Sequence, residues 1–408
     1  MSRNLRALVR LAGSIIAISL AFGLGLVIGA TTATSGSPPL QILRGNPPVE
    51  ILQDAQATDF GVFWEAWRTL QENYYKGPLD PQTLKEGAIK GIAEATGDRF
   101  TIFQDTESAR RSQTRLSGSF VGIGIRIELR EGVPFIVQPI PEAPAELAGV
   151  GPNEFILAVD GVSTKNLSLA EVGEIVRGQP GTEVTLTLRR LGGTQLRDVT
   201  IVRARVVVAS VAVKLLDDIA YMRINMFSSR TPQEVGSAIN KLRRQSISHL
   251  VIDLRNNFGG LLNASVDVAS HFLPRGVLVL RQESRGEPSL EFRTTSGAHD
   301  TEMSIVVLIN GGTASAAEIV AGALQTHGRA LLVGEETFGK GSMQELHRLS
   351  DGSIIRVTSG IWVTPAGINL GDRGLIPDLE VENKDGHIGG SKDPILQAGV
   401  GLLLQGDS

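Results

Sequence analysis

The sequence predicts a multidomain chain of mixed class, α+β with an α/β body, and three changes of texture along it carry that expectation. Asp59 to Thr96 repeats apolar side chains at helical spacing. Gly118 to Arg205 changes to short alternating runs broken by glycine-bearing turns. Val206 to Asn383 alternates apolar strands with helical stretches, as a sheet covered by helices would. With 408 residues there is room for two or three domains. Hydrophobic content of 42% and charged content of 20% suit a sizeable core.

The elements follow in order. Phe60, Phe63, Trp64, Trp67 and Leu70 mark one helix, and Leu84, Ala88, Ile92 and Ala95 a second, with Pro78 and Pro81 breaking them. Aromatic stripes at this spacing are usually packing surfaces. Phe120 to Ile127 alternates glycine with apolar residues. Phe135-Ile136-Val137 and Phe155 to Val159 read as strands, and Asp160-Gly161 is a hairpin signal. Ala143 to Ala148 reads as a short helix, Ser168 to Arg177 as a longer one, and Thr182 to Arg190 as a strand. Further on come strands at Ile219–Ile224, His249–Leu254, Ser304–Asn310 and Ala330–Gly334, and helices at Thr231–Gln245 and Ala316–Gln325. Asp393 to Leu404 reads as a final helix.

Composition excludes several functions. The net charge of −4 includes no block of like charge, against the basic stripe of a nucleic-acid binder. Cysteine is absent, which removes disulfides, thiolate metal sites and a cysteine nucleophile. The six histidines, His249, His271, His299, His327, His347 and His387, show no metal-ligand spacing and no triad context. No metal and no other cofactor is expected. At the N-terminus, Arg3, Arg6 and Arg10 precede an uncharged run of 20 residues, Leu11 to Ala30. Such a run can cross a bilayer with its positive flank in the cytoplasm. Everything after Ala30 is therefore expected to be exported. A cleaved signal peptide and an uncleaved anchor both remain open, and the length favours the anchor. The protein would sit on the extracytoplasmic side, in a periplasm or cell envelope, or be secreted if residues 1–30 are removed.

The region from Gly118 to Arg205 resembles a PDZ domain of the bacterial protease type, in its order of elements and in the stretch PEAPAELAGVGPNEFILAVDGVST. It departs at Asn153-Glu154-Phe155, where that type usually has Gly-Asp. A PDZ domain takes up a peptide C-terminus as an added strand and holds the carboxylate on backbone N–H groups. The matching loop is Phe120, Val121, Gly122, Ile123 and Gly124. A β-module with an idle groove is the plainer alternative.

Three strings in the last region can bear chemistry. Asp253-Leu254-Arg255-Asn256-Asn257-Phe258-Gly259-Gly260 follows a strand and ends in paired glycines, whose N–H groups could face an oxyanion. Asn310 to Ile319 joins a strand to a helix with Ser315 at its start. Locally Ser315 reads first as an N-cap, with Glu318 completing a capping box. The same helix start would also stabilise a developing oxyanion. Gly334 to Gln344 sets Lys340 between two glycines, so that tight packing can desolvate its ammonium. Gln344, four residues on, shares its face in a helix or a strand.

Together, DLRNNFGG, NGGTASAAEI and ETFGKGSMQ resemble the C-terminal processing peptidases, the S41 family of serine peptidases with a Ser–Lys dyad and an embedded PDZ domain. The resemblance covers residues 59–404. It implies a crotonase-like α/β protease core with an inserted PDZ domain and an N-terminal helical segment. It makes Ser315 the nucleophile, Lys340 the general base and Gln344 the residue orienting that lysine. The backbone amide of Ala316 and that of Gly259 or Gly260 would form the oxyanion hole. The implied division is a membrane segment over 1–30, a linker over 31–58, helices over 59–117, the PDZ domain over 118–205, the peptidase core over 206–385 and a tail over 386–408. Partners would be proteins or peptides with unstructured C-termini, and an oligomer stays open. One departure, Asp98-Arg99-Phe100-Thr101 where the family tends to Asp-Pro-Tyr, lies far in sequence from the catalytic strings and puts only its own turn in doubt. A free lysine titrates near about 10.4, so the dyad requires Lys340 to be desolvated. Two rivals remain: a non-catalytic, membrane-tethered PDZ scaffold, and a crotonase-like enzyme acting on small substrates.

Overall fold

The computed structural model describes residues 60–295, 300–371 and 373–405. The expected membrane segment, the linker and His299 lie outside them. Among the described residues no helix is long and apolar enough to cross a membrane. The chain divides into two compact units, one ending at Asp80 and the other running from Pro81.

The first unit contributes helix α1 (Gly61–Asn73). None of its residues is buried. The expected packing stripe is present, but its rings pack on one another, with Phe63 5.1 Å from Trp64 and 6.1 Å from Trp67.

The second unit opens with α2 (Pro81–Glu94), where proline at the first helical position fits the helix start. Then come β1 (Ile102–Gln104) and α3 (Thr106–Ser117). Asp105 caps α3 by accepting from the Ser108 N–H at 2.8 Å. A ribbon strand, β2 (Ser119–Gly122), leads into the PDZ-like module of β3 (Ile125–Arg130), β4 (Val133–Pro139), α4 (Pro144–Leu147), β5 (Glu154–Val159), β6 (Val162–Ser163), α5 (Leu169–Val176), β7 (Glu183–Arg190) and β8 (Leu196–Val202). Its main sheet runs β3-β4-β5-β7-β8, which leaves β3 on the edge. The return strand β9 (Ala204–Val207) pairs with β2. The alternating run Phe120–Ile127 is therefore two strands in two sheets, divided at Gly124 (φ 76°), where an added Cβ would lie 2.3 Å from that of Ala143.

The body continues with β10 (Val211–Leu216), β11 (Ile219–Ile224), α6 (Thr231–Arg244), β12 (His249–Asp253), α7 (Leu262–Ser270), β13 (Leu278–Ser284), β14 (Leu290–Arg293), β15 (Ser304–Ile309), α8 (Ala316–Thr326), β16 (Leu331–Gly334), β17 (Ser342–Arg348), β18 (Ile354–Val363), β19 (Leu379–Glu380) and α9 (Pro394–Gln405). The central sheet has the order β10-β11-β12-β15-β16-β19 and is parallel except for β10. Both faces are buried, as parallel sheets require. Ala220, Met222, Leu250, Ile252, Ile305 and Val307 point to the side of α6, α7 and α8. Tyr221, Val251, Val306 and Leu308, the alternate residues, meet α9 on the other. A second sheet, β1-β18-β13-β14 with β17 on β18, flanks this core.

Candidate active site

The three strings follow the C-terminal ends of β12, β15 and β16, which are neighbours in the sheet. Open α/β sheets place their sites outside the carboxyl ends of their strands. The first two loops are tied directly together. Asn310 Oδ1 accepts from the Asn256 N–H at 2.9 Å, the Thr313 hydroxyl donates to Leu254 O at 3.0 Å, and the Ala314 N–H donates to Asn257 O at 2.9 Å. Gly259 comes so close to the helix start that a Cβ there would lie 2.8 Å from Ser315 Cβ and 2.9 Å from Ala316 N. Only glycine permits that approach.

Ser315 is the N-cap residue of α8, as its sequence suggests, but not an ordinary one. A cap normally has extended backbone, whereas Ser315 has φ 58° and ψ −120°. A non-glycine residue pays about 1–3 kcal/mol for such a conformation, and a strained strand-to-helix turn is how some hydrolases present a nucleophile.

Glu318 ties Ser315 to Lys340. The carboxylate is fully buried. One oxygen accepts from the Ser315 N–H at 2.7 Å and the Lys340 N–H at 3.0 Å. The other accepts from the Thr337 hydroxyl at 2.6 Å and the Gly339 N–H at 2.8 Å. The capping-box pattern in the sequence pointed to the first bond and to none of the other three.

Lys340 is half-buried just ahead of β17. Burial pushes its ammonium below the ordinary lysine range, Arg356 adds to that, and Asp98 and Glu318 act against it. Gly341 lets this segment lie flat on its neighbour: a Cβ there would be 1.9 Å from Gly371 N. Ser315 Oγ and Lys340 Nζ make no hydrogen bond to each other. Gln344 is not set beside Lys340 by strand periodicity, because Lys340 precedes the strand and the register shifts between Met343 and Gln344. Its amide donates to Ser342 Oγ at 2.8 Å and Thr358 Oγ1 at 3.3 Å. The Asp98–Thr101 turn, far away in sequence, lies against Lys340: the Phe100 ring centroid is 5.0 Å from Lys340 Nζ.

Below the Asp253–Gly260 turn, Arg255 is fully buried between two carboxylates. Its guanidinium donates to Asp253 at 2.6 Å and 3.0 Å and to Asp393, just ahead of α9, at 2.7 Å twice. Both partnerships hold its charge, outweighing burial. Asp393 lies below the ordinary carboxylate range: burial opposes this, but Arg255 and the N–H groups of Gly389 and Leu396 prevail. Arg255→Met should cost about 3–5 kcal/mol in urea unfolding, because it strands buried carboxylates. The native Asp393 contributes its stability above the usual carboxylate range and loses it as pH falls. The variant's deficit should therefore be largest near neutrality and shrink in acid.

Ahead of the PDZ-like sheet, Phe120, Val121 and Gly122 lie in β2, paired with Val206, Arg205 and Ala204 of β9 respectively. Only Ile123 and Gly124 of the expected loop form the turn into edge strand β3. Ile125, Ile127 and Ile175 line that edge and α5, only partly buried.

Residues 218–381, which contain all three strings, match Peptidase family S41, and residues 135–190 match a PDZ domain. A carboxyl-terminal-processing protease of Synechocystis sp. is 36% identical over 350 residues, 83% of this chain and 82% of the relative. The chain belongs to peptidase family S41. A probable CtpA-like serine protease of Staphylococcus haemolyticus is 32% identical over 87% of this chain and 71% of its own length. The crystal structure of a putative S41 protease from Bacteroides fragilis shares the fold, with a TM-score of 0.51 over 85% of this chain and 97% of that one at 17% identity. As a family S41 member with a PDZ domain, the chain is a serine-type peptidase of the C-terminal processing kind.

Proposed function

We propose that this chain is an exported serine endopeptidase that captures protein C-termini on its PDZ domain and cleaves near them through a Ser315–Lys340 dyad. The observation that carries this reading is the Glu318 carboxylate, which holds the backbone N–H groups of both residues on one oxygen. A serine hydroxyl needs a base, and neutral Lys340 supplies it. Nζ takes the Ser315 proton as Oγ attacks the scissile carbonyl carbon. The tetrahedral oxyanion faces the amides of Ala316 and Gly260, since the Gly259 N–H already donates to Asn257 Oδ1 at 2.9 Å. Collapse breaks the C–N bond, the lysine proton passes to the leaving amine, and an acyl-Ser315 ester remains. Water attacks that ester with its proton passing to Lys340. Serine is restored and a new C-terminal carboxylate leaves. Gln344 steadies the strand beside the lysine.

Capture would use strand addition at the free edge of β3, with Ile123 and Gly124 at the carboxylate end. The half-exposed Ile125, Ile127 and Ile175 favour apolar terminal residues. Residues 11–30 would tether the enzyme to the membrane or be removed on export. The test is to incubate wild type and Ser315→Ala with a protein bearing an unstructured apolar C-terminus and to read the fragments by mass spectrometry. Fragments cut near the C-terminus with wild type, falling by about 10³-fold or more in the variant, support the proposal. Equal cleavage by both defeats it.

A further inference from the structure

The turn Asp98-Arg99-Phe100-Thr101 links α2 to β1, and β1 pairs with β18 so that Ile102 faces Arg356. On the other side of β18, Thr358 stands opposite Gln344 of β17. Asp98 collects the polar groups between them. Its Oδ2 accepts from the Thr101 hydroxyl at 2.7 Å and from the Thr358 hydroxyl, and its Oδ1 accepts from the Phe100 N–H at 3.1 Å. The Thr358 N–H donates to Thr101 Oγ1 at 3.1 Å. Thr358 Oγ1, whose O–H donates to Asp98, accepts from Gln344 Nε2 at 3.3 Å. An unbroken chain thus runs from Asp98 through Thr358 to Gln344. Two residues on from Asp98, the Phe100 ring lies over Lys340 Nζ.

We propose that this turn is a working wall of the active site: Phe100 caps the Lys340 ammonium against water, and Asp98 is a positioning residue that fixes Gln344 through Thr358 and sets its own charge beside the lysine. The inference rests on the dyad reading of Lys340.

Two effects of the ring oppose each other. Its face attracts a cation, but its bulk keeps water away, and loss of water disfavours the charged form. The charged groups acting on Lys340 are Arg356 from β18, Asp98 from this turn and Glu318 from α8, and the Arg99 guanidinium lies over the same Phe100 ring, 4.6 Å from its centroid. Burial is the largest influence on Lys340 and the net effect favours the neutral amine; on this proposal the ring, 5.0 Å from Nζ, acts through its share of that burial. Asp98 itself is held ionised: burial opposes this, and the hydrogen bonds from Thr358, Thr101 and Phe100 overcome it.

The two residues should therefore displace the acid limb of kcat/KM in opposite directions. Phe100→Ala readmits water, stabilises the ammonium and moves the limb to higher pH. Each pH unit moved is worth about tenfold in activity on the acid side of the limb, and that loss returns when the assay is made more alkaline. Phe100→Tyr keeps the ring and should restore the native limb. Asp98→Asn keeps an acceptor for Thr358 but removes the charge, so the limb moves to lower pH. The kcat/KM profiles of wild type, Phe100→Ala, Phe100→Tyr, Asp98→Asn and Lys340→Arg on one protein substrate, with a thermal melt of each, make the test. Opposite displacements, with Phe100→Tyr at the native limb, bear the inference out. Limbs unmoved in both Phe100→Ala and Asp98→Asn, with activity scaled equally at all pH values, reduce the turn to a structural part and overturn it. If Phe100→Ala proves misfolded, the Asp98→Asn limb decides alone. Substantial activity in Lys340→Arg removes the dyad reading instead, whatever the turn variants do.

Discussion

Lys340→Arg lowers kcat/KM on a protein substrate by about 10²–10⁴-fold or more, the usual contribution of a positioned general base, while the protein stays folded. Arginine is close in length and keeps a face for the Phe100 ring, so the fold holds even though a permanent charge replaces a neutral amine in a half-buried place. What it cannot do is give up its proton at working pH. On the proposed mechanism lysine does, and burial and Arg356 both push it toward the neutral amine, against Asp98 and Glu318. Activity of the wild type should accordingly rise with pH as Lys340 loses its proton and fall as it regains it. Stability follows the same sign. The unfolded chain holds that proton up to about 10.4 and the folded chain releases it earlier, so this residue's contribution to stability increases with pH between those points. Steady-state kinetics and urea unfolding of the two proteins across pH measure both effects. An arginine variant with near-native turnover would remove Lys340 from the base role.

Glu318→Ala has the second large effect, on structure and catalysis together. The change takes one acceptor group from four donors: Ser315 N–H, Lys340 N–H, Gly339 N–H and the Thr337 hydroxyl. A buried donor left without a partner costs about 1–3 kcal/mol, so a loss of about 3–5 kcal/mol is expected in urea unfolding even after partial relaxation. The two segments that carry the proposed dyad also lose their common anchor. A misplacement of about 1 Å can cost about 10²-fold in rate, and kcat should fall by at least that factor. Glu318→Gln retains one acceptor oxygen and should lie between wild type and alanine in both measurements. Native kcat in Glu318→Ala would mean that the dyad is positioned by something else.

The parts of the site that could be read from the sequence are those carried by local strings. Each of DLRNNFGG, NGGTASAAEI and ETFGKGSMQ has its own strand end, glycine or helix start, and the parallel sheet turns their separation in sequence into adjacency. The central strands were legible for the same reason: a sheet buried on both faces gives short, continuous apolar runs such as His249–Asp253 and Ser304–Ile309. Long-range side-chain partnerships left no such trace. Glu318 looks like half of a capping box, and nothing local indicates that its carboxylate also reaches Thr337, Gly339 and Lys340. Phe100 and Lys340 are brought together by the pairing of β1 with β18, which no spacing rule encodes. The second sheet was missed because β17 and β18 are mostly half-exposed or exposed, carry charged and polar residues among the apolar ones, and contain a register shift. Phe120–Ile127 misled in the opposite sense, since one alternating run serves two sheets.

The account turns on Ser315 acting as a nucleophile driven by a neutral Lys340. The most direct measurement is the rate at which a serine-directed phosphonate modifies the purified protein, followed by peptide mass mapping over a range of pH in wild type and Lys340→Arg. The account predicts one modified residue, Ser315, with a rate that climbs with pH through a midpoint well below that of free lysine and collapses in the arginine variant. Modification at another residue, or an equal rate at Ser315 in both proteins, would contradict it.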